Sequence, residues 1–237
     1  MKPTSWNAAI TRFVQTVALL TMIGISSAGS ARANPLSYLV TINTSAVTGT
    51  SGNLDLQFNP GVLPGTQSAT ASVQSFSTNG SLGTATLTGD VTGTLPGPLS
   101  FDNQTAFNDD FQAIVFGNSI QFDLILSGAA VLAPDGTSVS GSSFGIGLWD
   151  STGLHPLLTS DPNGFAGIVN INLDGSGTTS TFLTNTGGLP VVTLTPEVIT
   201  FVPEPGSMLL FGTGVMAIVG LVRRQSQADC QDGYSSR

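Results

Sequence analysis

Apolar side chains recur at every second position in four stretches spread along the chain. Tyr38, Val40 and Ile42 alternate with Leu39, Thr41 and Asn43, and Leu54, Leu56 and Phe58 alternate with Asp55 and Gln57. Ile120, Phe122, Leu124 and Leu126 alternate with Gln121, Asp123 and Ser127, broken only by Ile125, while Phe144, Ile146 and Leu148 alternate with Gly145 and Gly147. A period of two sends successive side chains to opposite faces, so each stretch predicts a strand with one buried and one wet face. Turn chemistry lies between them: Asn59-Pro60-Gly61, Asn79-Gly80, Pro134-Asp135-Gly136, Asp161-Pro162-Asn163-Gly164 and Asp174-Gly175. Away from the termini no helical period persists beyond two turns. Many short strands with frequent turns predict an all-β fold, an antiparallel β-sandwich or jelly-roll-like domain.

The surface of that domain is unusual. Gly, Ser and Thr make up more than a third of the 237 residues, and only 8% are charged, against roughly 25% in an ordinary soluble domain. All six Lys and Arg lie at the ends: Lys2, Arg12, Arg32, Arg223, Arg224 and Arg237. Between Arg32 and Arg223 the only basic side chain is His155, whereas eleven acids run from Asp55 to Glu197. Nucleic-acid binding rests on Lys and Arg releasing phosphate counterions, so it is excluded for the body. A phosphate site built on a P-loop lysine is excluded likewise. Cys230 is the sole cysteine, which excludes a disulfide scaffold. With 40% hydrophobic residues the chain has the material for a core and is not a disordered polymer.

The two ends read as addresses. Lys2 and Arg12 give a positive leader, the stretch from Phe13 to Ile25 is mostly apolar, and small residues end in Ala31-Arg32-Ala33. This is the pattern of a secretory signal peptide cut after Ala33, with Ala31 and Ala33 as the small-x-small pair. An uncut anchor helix is the alternative, but the apolar run is short of the ~20 residues of a span. At the other end Val202-Pro203-Glu204-Pro205 is followed by an apolar run to Val222 and then by Arg223-Arg224. Residues 206–222 would make about 25 Å of helix, the short end of a bilayer span. The arginines act as a stop and place that side in the cytoplasm. The Pro-Glu-Pro triplet cannot be helical throughout, so it forms a stiff strip just outside the membrane, within reach of a processing protease. The resulting organisation is a signal peptide at 1–33, an exported β domain at 34–201, a sorting segment with a transmembrane helix at 202–225, and a polar cytoplasmic tail at 226–237.

Pro203-Glu204-Pro205, a short span and the Arg223-Arg224 cluster, in that order, resemble the PEP-CTERM sorting signal. The resemblance implies Sec-dependent export in a Gram-negative bacterium, removal of the leader by signal peptidase, and a precursor held transiently in the inner membrane. It also implies recognition by an exosortase, which removes the tail, and association with exopolysaccharide at the cell surface or in the extracellular matrix. The same C-terminal signature carries the name "ice-binding protein C-terminal" domain. The thirteen residues after the arginines, Gln225 to Arg237, depart from the usual ending; there Cys230 is a free thiol discarded with the tail or, less simply, a lipidated one. The body is also similar to an uncharacterised PEP-CTERM protein family. The similarity lies in Asn34-Pro35-Leu36-Ser37-Tyr38, Thr50-Ser51-Gly52 to Phe58-Asn59-Pro60-Gly61, Leu87-Thr88-Gly89-Asp90, Thr105-Ala106-Phe107-Asn108-Asp109 and Leu157-Leu158-Thr159-Ser160-Asp161-Pro162. That similarity implies no activity.

Each pattern in the body that resembles chemistry has a plainer reading. Gly141-Ser142-Ser143-Phe144-Gly145 fits G-x-S-x-G, and Asp150 and His155 follow in hydrolase order. A nucleophile elbow, however, needs a strand, a sharp turn and a helix, and Ser143 enters a strand pattern. His155 has no second His or nearby Cys with which to hold a transition metal. Asp102, Asp109 and Asp110, with Asn103 and Asn108 beside them, offer hard oxygens for calcium, but no D-x-[DN]-x-[DN]-G loop is present, and Asp and Asn also serve as turn formers. No pair of acids is singled out for a glycosidase. Tyr38 and Trp149 are the aromatics available for stacking on sugar, since the thirteen Phe read as core. Thr84, Thr86, Thr88, Thr92 and Thr94 form a threonine ladder that would suit a lattice, or equally an ordinary wet face. These observations predict a non-enzymatic exported protein without a cofactor, calcium being the one metal for which ligands exist. A carbohydrate-binding sandwich is the runner-up, and a hydrolase or an ice-binding protein comes after it.

Overall fold

A computed structural model describes residues 34–197; the signal and sorting segments, including Ala31, Ala33, Pro203, Glu204, Pro205, Arg223, Arg224 and Cys230, lie outside the described residues. Twelve strands are described: β1 (Leu36–Asn43), β2 (Ser51–Pro60), β3 (Thr70–Thr78), β4 (Ser81–Thr88), β5 (Val91–Gly93), β6 (Leu99–Asp102), β7 (Asp109–Val115), β8 (Ser119–Ser127), β9 (Ser142–Asp150), β10 (Phe165–Ile171), β11 (Gly177–Thr181) and β12 (Val192–Glu197). They form two six-stranded sheets. The first has the order β12-β1-β8-β3-β6-β5 and the second β11-β10-β9-β2-β7-β4, and every strand pair is antiparallel. Among the described residues no helix is long and apolar enough to cross a membrane.

The alternation in the sequence marks the buried faces. Val40, Ile42, Leu54, Leu56, Phe58, Ile120, Phe122, Leu124, Leu126, Phe144, Ile146 and Leu148 are all fully buried and belong to one core cluster fed by both sheets. Phe101 of the first sheet meets Phe144 of the second edge-on, with centroids 5.8 Å apart and rings at 86°, the geometry that the ring quadrupole favours. The turn signals also fall between strands: Asn79-Gly80 joins β3 to β4, Asp161–Gly164 precedes β10, and Asp174-Gly175 joins β10 to β11.

Two sequence expectations are corrected. Tyr38 is not an exposed platform for sugar: it is 5% exposed and part of the core, because Tyr38 falls in phase with Val40 and Ile42 on the inner face of β1. The threonine ladder is not one array either. Thr84, Thr86 and Thr88 lie on β4, the edge of the second sheet, whereas Thr92 lies on β5, the edge of the first. The chain changes sheets at Gly89-Asp90, so the two halves of the ladder share no plane.

Two buried asparagines hold the loops that link the sheets. Asn103 accepts a hydrogen bond from the Ala69 N–H at 2.8 Å, and its amide donates to the Gln67 carbonyl and to Ser142 Oγ on β9. Asn108 accepts at its side-chain oxygen from the Asp90 N–H and the Thr105 hydroxyl, and donates to the Phe58 and Thr105 carbonyls. Leaving such buried backbone groups unpaired costs about 1–3 kcal/mol each. Asn108→Ala is therefore expected to destabilise the domain by about 3 kcal/mol, read as a lower urea midpoint with an unchanged slope.

Candidate functional site

The outer face of β9 is built around glycines. Gly145 and Gly147, which complete the Phe-Gly-Ile-Gly-Leu alternation, leave room for rings: a Cβ on Gly145 would lie 2.4 Å from the Phe165 ring, and one on Gly147 would lie 2.8 Å from the Trp149 indole nitrogen. The segment after β9 then turns back over the sheet. Pro156 bridges to Trp149, Gly153 packs near the Phe111 ring, and Gly164, at φ +87°, sits against the Trp149 indole, where a Cβ would approach to 2.4 Å. A side chain at 164 would meet both that ring and a left-handed backbone.

Under Trp149 lies an acidic group that the sequence does not single out. Asp55 is flanked by Leu54 and Leu56 and points to the outer face of β2, yet it is only 3% exposed. Its Oδ2 accepts from Trp149 Nε1 and from Gln57 Nε2, both at 3.0 Å, and Gln57 in turn accepts from Asn59 Nδ2 at 3.1 Å. On the neighbouring strand Asp109 faces Gln57 and stands diagonally from Asp55, within hydrogen-bonding reach of its carboxyl. One oxygen of each, Asp55 Oδ1 and Asp109 Oδ1, is buried and meets no N–H or O–H donor. Burial pushes Asp109 up to about 8, helped by its hydrogen bond to Asp55 and by the charges of Asp55 and Asp110. Burial also raises Asp55, against the lowering effect of its contacts with Asp109, Gln57 and Trp149. Two like charges this close cannot both ionise cheaply, and the pair titrates as a unit.

Asp110 follows Asp109 and so points to the opposite face. It is fully buried opposite Leu56 and Leu87, with neither oxygen hydrogen-bonded. Burial and the charge of Asp55 push it up to about 6. Asp102 is elsewhere, on β6 of the first sheet, capping the Gln104 N–H. Asp102, Asp109 and Asp110 thus do not converge, and Asn103 and Asn108 spend their oxygens on backbone clamps. Among the described residues no three His, Cys, Asp or Glu side chains form a group able to hold a metal ion.

The hydrolase-like trio is also separated. His155 Nδ1 lies 2.9 Å from Asp150 Oδ2. Asp150 is held well below the usual carboxylate range, first by the Thr152 hydroxyl and then by His155 and backbone N–H groups. Ser143 is at the far end of β9, roughly 23 Å away along an extended strand, and its hydroxyl bonds Asn170 Oδ1 at 2.6 Å. Beside it opens a groove of about 710 Å³, lined by Gly61, Ser140–Ser143 and Asn170–Asp174. Its lining mixes the hydroxyls and amides of Ser140, Ser142, Ser143, Asn170 and Asn172 with apolar surface, Leu173 is exposed on its rim, and Asp174, whose carboxyl the Ser176 hydroxyl and N–H hold below the usual range, is its only charged residue.

Comparison with known proteins assigns the C-terminal segment. Residues 201–224 match the family model described as the PEP-CTERM protein-sorting motif. This is therefore a PEP-CTERM protein: one exported through a precursor anchored in the membrane by its C-terminal segment and addressed to an exosortase. The match covers Pro203, Glu204, Pro205, Arg223 and Arg224 and does not extend into the body. No curated protein and no solved structure matches the chain.

With the acids dispersed over two sheets and two faces, a chelator such as EDTA is expected to leave the melting temperature unchanged. A fall on chelation that calcium restores would assign a cation to the domain.

Proposed function

We propose that the body is a non-enzymatic cell-surface or matrix protein, a jelly-roll-like β-sandwich released from its membrane anchor by an exosortase. The observation that carries this reading is the sorting motif at residues 201–224 attached to a β domain without Lys or Arg. The Sec translocon and signal peptidase precede the exosortase in this route. Cleavage after Ala33 leaves Asn34 as the new N-terminus, and the cut near Pro203-Glu204-Pro205 leaves the body free of the inner membrane. Fractionation with intact-mass measurement is expected to find a species beginning at Asn34, lacking the segment after the triplet, at the cell surface or in the medium. Uncut chain in the cytosol would overturn the reading.

A second reading, carbohydrate binding in the exopolysaccharide, is favoured by the groove at Ser140–Ser143 and Asn170–Asp174. Sugar hydroxyls are matched by side chains that both donate and accept, and the lack of cations suits a neutral glycan. Glycan-array binding is expected to fall at least about tenfold, about 1.4 kcal/mol, in Asn172→Ala/Asp174→Ala. Trp149→Ala is a poorer probe, because Trp149 also covers Asp55. Equal binding by the double variant would remove the groove from consideration.

A further inference from the structure

We propose that Asp55 and Asp109 share a single proton and act as a latch, and that loss of this proton frees the β4–β7 edge of the second sheet from β2. The two carboxyls stand across the β2–β7 seam, buried, each with one oxygen that no N–H or O–H donor reaches. A proton between them supplies that missing donor. Its removal leaves two anions facing each other in a low-dielectric strip, with no compensating cation, since the body has no Lys or Arg.

The other titrating group that acts on the pair is Asp110, through the sheet. β2 contributes Asp55, β7 contributes Asp109 and, through the sheet, Asp110, while β4 and β9 contribute no acid or base facing the pair. Asp150 at the end of β9 is bonded to His155 of the returning loop, and Asp161 in that loop caps the Asn163 and Phe165 N–H groups. Beyond β7 there is only β4, an edge strand whose pairing is interrupted between Leu82 and Ala85. Repulsion at the seam therefore acts on a two-strand flap rather than on the middle of the sheet.

The sign follows from linkage. The pair holds its proton more tightly when the seam is closed, so the closed state is favoured at low pH and loses that advantage as pH rises toward about 8. Hydrogen–deuterium exchange on the full-length chain, corrected for the intrinsic base-catalysed rate, tests this at about pH 6.5 and about pH 8.5. The opening equilibrium of peptides covering β4 and β7 is expected to rise on the order of twentyfold, with β1, β8 and β12 unchanged. Asp109→Asn and Asp55→Asn each supply a permanent amide hydrogen and are expected to abolish the rise. The proposal is overturned by no rise, by an equal rise in a folded variant, or by a uniform rise over both sheets. Should neither variant fold, a wild-type Asp109 carboxyl carbon titrating near the ordinary value of about 4 overturns it.

Discussion

Between Arg32 and Arg223 the chain has no side chain that stays positive at every pH, so none of its acids can be neutralised by a lysine or arginine. Only three alternatives remain for a carboxylate in such a domain: water, neutral hydrogen-bond donors, or a proton. The exposed acids use the second. Asp135 is lowered first by the Thr137 and Ser138 N–H groups, Asp150 by Thr152 and His155, and Asp174 by Ser176. Each closes a turn whose geometry places donors two or three residues ahead. In the buried pair only Asp55 Oδ2 does this, through Trp149 Nε1 and Gln57 Nε2, because the β2–β7 seam has committed its backbone donors to the ladder. For Asp55 Oδ1 and Asp109 Oδ1, which meet no such donor, a proton is the remaining alternative.

The same constraint explains the buried amides. With no long cationic side chain available between Arg32 and Arg223, Asn103 and Asn108 bridge the loops, each satisfying both donor and acceptor sides in one place. Asparagine is neutral, so it can be fully buried without the penalty that a lone charge carries. That use removes both residues from any role as free ligands.

The strand faces were legible because period-2 alternation is a local property: Ile120, Phe122, Leu124 and Leu126 declare their inward face without reference to any other strand. The sorting segment was legible for a similar reason, its three parts being contiguous. Asp55 was not. Its alternation with Leu54 and Leu56 correctly assigns it to the outer face, but its burial depends on Trp149 and on a loop returning from about a hundred residues away. Tyr38 failed in the opposite way, since its hydroxyl suggested a wet position while its phase with Val40 and Ile42 set a dry one. Asp102, Asp109 and Asp110 are close in sequence but are divided between two sheets, which no spacing rule foresees, and between two faces, which alternation along β7 does foresee.

The limits of the folded body bear on how it can be processed. β1 begins at Leu36, two residues after the new N-terminus that cleavage behind Ala33 would create. At the other end the β1–β12 ladder closes with Ser37 opposite Glu197, and the Ser37 hydroxyl lies 3.3 Å from the Glu197 carboxylate. The matched motif starts at residue 201, beyond the last pair of that ladder. Among the described residues β12 is an edge strand whose strand neighbour is β1, and its register is set there by the pairs from Ser37–Glu197 to Ile42–Val192. Among the described residues the core is drawn from the strands and the loops between them. The described strand pairs of the body all lie ahead of the sorting motif, so that motif contributes no residue to them.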